Sequence, residues 1–178
     1  GTLAINYNGH RNTQVWAGER ILTNDDYNNW NNENSLPFMI TATCDYGEFH
    51  NPLFVSAAEQ LVIRRGGGVI AILTTTQAVF AVYNRPINVQ YLDAQFTRNA
   101  DGSWNTFGEA NRIAKNTTYI VTHEAGQLAN FRKFALLGDP ALTPAFPKYN
   151  IQLDNVMDGT TQVHADSINA LGKYVMSG

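Results

Sequence analysis

Three short apolar runs, Leu3 to Tyr7, Phe38 to Thr43 and Val69 to Thr74, each give way to a polar loop, the pattern of strands buried in a sheet. Helix starts follow them as capping boxes, in which a hydroxyl caps the first turn and an acid three residues on reaches back: Thr23 with Asp26, Ser56 with Glu59, and Thr106 with Glu109. The second is the clearest. Ala57, Ala58, Leu61 and Val62 form one apolar stripe, Arg64 and Arg65 suit the negative end of the helix, and Gly66-Gly67-Gly68 stops it. Further helices are expected within Ile87 to Phe96, at Phe107 to Lys115, and around Gln127 to Leu137, before Gly138-Asp139-Pro140 breaks the chain.

Strands that alternate with helices imply right-handed crossovers and a parallel sheet covered on both faces, so the expected class is α/β with three layers. After Pro147 the texture changes to alternation, with Tyr149, Ile151 and Leu153 spaced by polar residues and a turn signal at Asp158-Gly159. Residues 1–147 are therefore expected to form the α/β domain, and 148–178 a linker and the beginning of a β-rich module. The apolar run directly after Gly1 leaves no room for an earlier element, so the segment is expected to begin inside a longer protein.

Composition narrows the chemistry. A length of 178 residues allows one substantial core. The net charge of −3, with basic residues scattered apart from the pairs Arg64-Arg65 and Arg132-Lys133, lacks the basic stripe that a phosphate backbone demands, so nucleic acid is not an expected partner. No apolar run approaches the length of a membrane span. The single cysteine, Cys44, excludes an internal disulfide and a multi-cysteine metal cluster, leaving either a buried inert thiol or a reactive one. His50, His123 and His164 have no ligand-spaced partners, so neither metal nor cofactor is expected, and His123-Glu124 reads as surface polarity. Trp16, Trp30 and Trp104 read as packing anchors, and 28–34 as a solvated asparagine-rich loop.

In parallel sheets, reactive groups collect beyond the carboxyl ends of the strands. His10 follows the first strand and Cys44 the second, so adjacent strands would bring the two to one cleft. A histidine there takes the thiol's proton and later returns one to the leaving amine, which is acyl transfer through a thioester. Gly47 permits a tight turn after Cys44. The amides of Cys44 and Arg11 are candidate oxyanion donors. Asp45 and Glu48 beside the nucleophile, and Thr74, Thr75, Thr76 and Gln77 after the third strand, are candidates to line a substrate pocket.

Asn6-Tyr7-Asn8-Gly9-His10 and the run Phe38 to Phe49, with Thr-Ala-Thr-Cys-Asp-Tyr-Gly-Glu-Phe inside it, resemble the two catalytic segments of the gingipain family of cysteine peptidases. Ser56 to Glu59, Gly68 to Thr76, Gly108 to Ala110 and Leu136 to Leu142 follow in the order of that family's sortase branch, which serves type IX secretion, and Asp166 to Leu171 resembles its exit into a β-rich region. The resemblance spans roughly residues 3 to 147. It implies a caspase-like fold, a cysteine–histidine dyad and a supporting acid upstream of this segment. It further implies cleavage of carboxyl-terminal sorting domains from secreted cargo, alongside other secretion components, with transfer to an anchoring lipopolysaccharide at the cell surface of a Gram-negative bacterium. The family usually has Gly after the histidine, where this chain has Arg11. A scaffold that binds cargo tails without catalysis is the second reading.

Overall fold

A computed structural model describes residues 2–10, 15–122, 125–147 and 152–177. The chain divides into two compact units, Gly1–Ala145 and Phe146–Gly178. The first is built on a four-stranded sheet of β1 (Ala4–Asn8), β4 (Phe38–Ala42), β5 (Ala71–Thr75) and β6 (Phe134–Gly138), in the order β1-β4-β5-β6. A two-stranded ribbon of β2 (Val15–Trp16) and β3 (Leu22–Thr23) leads into the short helix α1 (Asn24–Asn28). The helices α2 (Ala57–Ile63), α3 (Ala81–Phe96), α4 (Phe107–Thr122) and α5 (Ala125–Arg132) complete the unit.

The β1–β4 and β4–β5 pairs are parallel, with Ala4 opposite Phe38 and Phe38 opposite Ala71, as a strand–helix–strand order requires. Every residue of β4 and β5 is buried, so these strands carry no polar alternation and read as continuous apolar runs. Their side chains alternate between two cores. Phe38, Ile40, Ala42, Ala71 and Leu73 join Ile87 and Tyr91 of α3, Phe107 and Ala110 of α4, and Phe131 of α5. Met39 and Ile72 face the other way, against Ala57, Ala58 and Leu61 of α2, with Tyr27, Trp16 and Tyr46. The result is the three-layer α/β architecture expected from the chain.

The capping boxes at Thr23 and Ser56 form in full, the Glu59 carboxylate accepting from the Ser56 amide at 2.8 Å. At Thr106 only half forms. Its hydroxyl accepts from the Glu109 amide at 3.2 Å, while the Glu109 carboxylate turns to Arg112 at 2.6 Å. Two helices run longer than expected. α3 begins at Ala81 and passes through Pro86, and α4 continues beyond Lys115 to Thr122.

The segment expected to be helical to Leu137 is a helix only to Arg132. Phe134–Gly138 is a strand antiparallel to β5, with Leu73 opposite Leu136. A short apolar run does not distinguish the two, and here the unpaired side of β5 supplies the partner.

In the second unit β7 (Asn155–Asp158) and β8 (Tyr174–Ser177) pair antiparallel. Among the described residues no helix is long and apolar enough to cross a membrane.

The Ser56 cap holds the helix that buries Leu61, and the Ser56 side chain is itself buried. Ser56→Ala is expected to cost roughly 1 kcal/mol, and up to about 2, of unfolding free energy, measured by urea denaturation followed by circular dichroism. An unchanged midpoint and slope would show that the cap contributes nothing.

Candidate active site

Asn8, the last residue of β1, lies opposite Ala42, the last residue of β4. The offset of that pairing is 42 − 8 = 34 residues, and Cys44 follows His10 by the same 44 − 10 = 34. Each therefore stands two residues beyond the carboxyl end of its strand, on adjacent parallel strands. The pairing reaches one step further, since the Gly9 amide donates to the Ala42 carbonyl at 3.4 Å.

The backbone of His10 is held from two sides. Its carbonyl accepts from the Tyr7 hydroxyl at 2.6 Å and from the Ala17 amide at 2.9 Å, while its side chain is exposed. The Tyr7 ring stacks on Trp16 with centroids 4.3 Å apart and planes 7° from parallel, and Trp16 meets Tyr46 at 5.6 Å. Tyr46 lies two residues after Cys44, so one aromatic stack braces the segments that carry both the histidine and the cysteine. Burial raises the Tyr7 phenol above its usual range, the Ala17 backbone partly opposing it, which keeps the hydroxyl protonated as the donor. Gly9 is required in this loop, because a Cβ there would stand 2.7 Å from the Tyr7 hydroxyl oxygen.

Cys44 is half-buried, and its Sγ donates to the Val79 carbonyl at 3.5 Å. Asp45 next to it takes a positive φ of 54°, a conformation that Asp tolerates better than most residues. The turn is then closed by the Gly47 amide donating to the Thr75 carbonyl at 2.8 Å, and by the Ala58 amide donating to the Tyr46 carbonyl at 3.1 Å.

The threonines expected to line a pocket divide. Thr74 and Thr75 are fully buried. The Thr74 hydroxyl accepts from Thr41 at 2.7 Å, and the Thr75 hydroxyl donates to the Thr43 carbonyl. They are the wall behind the cysteine loop and not its lining, because cross-strand bonds already occupy them. Thr76 is half-buried and donates to the Lys133 carbonyl at 3.1 Å, and Gln77 is exposed at the same edge. Asp45 and Glu48 are both half-buried, and Glu48 accepts from Asn51 at 3.2 Å. Arg11, the proposed second oxyanion donor, lies outside the described residues, as do His123 and Glu124.

Of the other singled-out residues, Trp16 is buried and the Trp104 ring lies under Arg98 at 4.4 Å, both as packing anchors. His50 and His164 are exposed, and among the described residues no His, Cys, Asp or Glu group could hold a metal ion.

Comparison with known proteins completes the assignment. The family model described as peptidase family C25 matches residues 1–145. The chain belongs to peptidase family C25. Solved structures similar to this C25 chain include the Arg-specific cysteine proteinase gingipain R, at TM-score 0.68 and 20% identity, covering 80% of this chain and 33% of that one. The complex of the pro- and mature domains of RgpB from Porphyromonas gingivalis gives TM-score 0.69 and 20% identity over 80% and 34%. A third, described as a protease, gives 0.64 and 18% over 80% and 35%. The C25 chain thus spans about a third of the length of each, and the shared fold is caspase-like, as in gingipain. No curated protein matches it.

Sequence reasoning missed the buried asparagines Asn84, Asn88 and Asn130 beneath this edge. The readable signal was that Asn84, Asn88, Tyr91 and Gln95 recur on the helical face that also carries Ile87 and Ala94.

At Gly47 a Cβ would stand 2.3 Å from the Thr74 Cγ2 methyl. Gly47→Ala is expected to destabilise the chain by about 1–3 kcal/mol, and adding Thr74→Ser, which deletes that methyl, to recover part of the loss in urea denaturation. Simple additivity of the two changes would refute the contact.

Proposed function

We propose that this chain carries the nucleophile and base of a cysteine endopeptidase that also acts as a transpeptidase, with Cys44 and His10 as the dyad. The matched register of the two strands is the observation that supports it. His10 accepts the thiol proton, and Cys44 Sγ attacks the scissile carbonyl carbon. The oxyanion that forms takes hydrogen bonds from the amides of Cys44 and Arg11. Collapse breaks the peptide C–N bond, His10 protonates the leaving amine, and a thioester remains on Cys44. Water then releases an acid, or a nucleophilic group of an acceptor takes the acyl group.

The ordered motifs favour a sortase of the PorU type. It would remove carboxyl-terminal sorting domains from secreted cargo at a Gram-negative cell surface, beside other secretion components, and pass the new carboxyl end to lipopolysaccharide. That one related structure is described as a complex of RgpB pro- and mature domains supports a protein partner at this fold. Thr76, Gln77, Asp45 and Glu48 are the residues proposed to meet substrate. Residues 148–178 are proposed as the beginning of a β-rich module.

The second reading, a catalytically impaired scaffold that binds cargo tails, is favoured by one observation. The Cys44 Sγ donates to the Val79 carbonyl at 3.5 Å, a bond that a nucleophile must break before it attacks.

In the full-length protein that contains this chain, Cys44→Ala is expected to abolish release of a sorting domain from a reporter cargo. His10→Ala is expected to slow it by a factor on the order of 10²–10⁴. Processing by Cys44→Ala at the parental rate would refute the enzyme, and retained cargo binding in that case would establish the scaffold.

A further inference from the structure

Beneath the sheet edge lies a polar assembly that the proposed chemistry does not use. Asn84 of α3 and Asn130 of α5 are 3% and 1% exposed, in the core that holds Ile87 and Phe131. Their hydrogen bonds run in one direction. The Phe80 amide donates to Asn130 Oδ1 at 2.7 Å, Asn130 Nδ2 donates to Asn84 Oδ1 at 3.0 Å, and Asn84 Nδ2 donates to the Ala42 carbonyl at 3.3 Å.

Burying an amide side chain is unfavourable unless it is hydrogen-bonded, and two apolar residues would fill the same space without that demand. What the pair supplies is a fixed distance between two backbone groups. Both groups adjoin the thiol: Ala42 lies two residues before Cys44, and Phe80 follows Val79, whose carbonyl accepts from Sγ. A closed circuit results, from Sγ through Val79, Phe80, Asn130, Asn84 and Ala42 back to Cys44. The other end of the same loop is pinned separately, with Lys133 Nζ donating to the Ala78 carbonyl at 2.6 Å and the Thr76 amide to the Lys133 carbonyl at 2.9 Å.

We infer that Asn84 and Asn130 are positioning residues for Cys44, which fix the Val79 carbonyl against the thiol and thereby set how readily Sγ leaves it to react. The inference rests on Cys44 being the nucleophile. The relay acts on the thiol through the placement of one hydrogen-bond acceptor, the Val79 carbonyl. Movement of the 77–80 loop carries that acceptor away and breaks its bond to Sγ.

Cys44 is the chain's one cysteine, so alkylation by iodoacetamide reports on it alone. The rate at pH 7 is measured in the parent, in Asn84→Leu, in Asn130→Leu and in the double variant, with circular dichroism and melting curves recording the fold. Each single variant is expected to raise it roughly three- to tenfold, because the bond from Sγ to the Val79 carbonyl no longer has to break before reaction. The double variant is expected to rise no further than either single one, since the bonds act in series. Phe80→Pro removes the donor at the loop end from a residue that is 65% exposed, and is expected to give the same rise should the core variants not fold.

Rates that stay at the parental value in folded variants, or effects that add, would overturn the inference and leave the asparagines as core packing. The readout is the thiol itself, so the relay is tested whether or not the chain cleaves peptide bonds. Failure of the dyad appears separately, as unchanged cargo processing by Cys44→Ala.

Discussion

The structure depends on the parallel pairing of β1 with β4. Side chains alternate along a strand, so a slip of one residue would turn every β1 side chain to the opposite face of the sheet. Tyr7 would leave Trp16, and the two loops would leave the edge at different heights. The register is set by burial. β4 is enclosed on both faces, and β1 is half-buried at Ala4, Ile5 and Tyr7, which pack on the two cores. A constraint made of apolar side chains thus determines where two polar ones emerge.

Beyond the register, two supports of different kinds converge on the cysteine loop. On the α2 face the support is aromatic, running from Tyr7 through Trp16 to Tyr46, and it tolerates small movements because stacking is only weakly directional. On the α3 face it is a line of amide hydrogen bonds, which fixes positions more narrowly. Membership of peptidase family C25 says what kind of chemistry such an edge serves. The geometry adds a thiol hydrogen-bonded to the Val79 carbonyl.

Much of this was legible in the chain. β1, β4 and β5 announce themselves as apolar runs, and the caps at Thr23 and Ser56 carry their own local chemistry, so neighbouring residues suffice to read them. β6 was not legible, because Leu136 and Leu137 suit a helix or a strand equally and only the free side of β5 decides. α3 starts six residues before the expected Ile87, since Pro86 costs one backbone hydrogen bond and the buried face on either side sustains the helix. Thr74 and Thr75 sit at the expected edge, yet their hydroxyls bond across to Thr41 of β4 and to Thr43 just beyond it, partnerships 33 and 32 residues distant that no local pattern reveals. The asparagine relay was invisible for the same reason, since its three bonds span sequence separations of 42 to 50 residues.

The central claim is that matched strand ends bring residues 10 and 44 face to face, and a second cysteine measures that most directly. In His10→Cys the chain has two thiols, and neighbouring parallel strands lie about 4.8 Å apart, inside the Cα separation that a disulfide spans. Mild oxidation followed by mass spectrometry is expected to show an intrachain bond between positions 10 and 44 in monomeric protein. Two thiols that stay reduced, or that pair only between chains, would contradict the account.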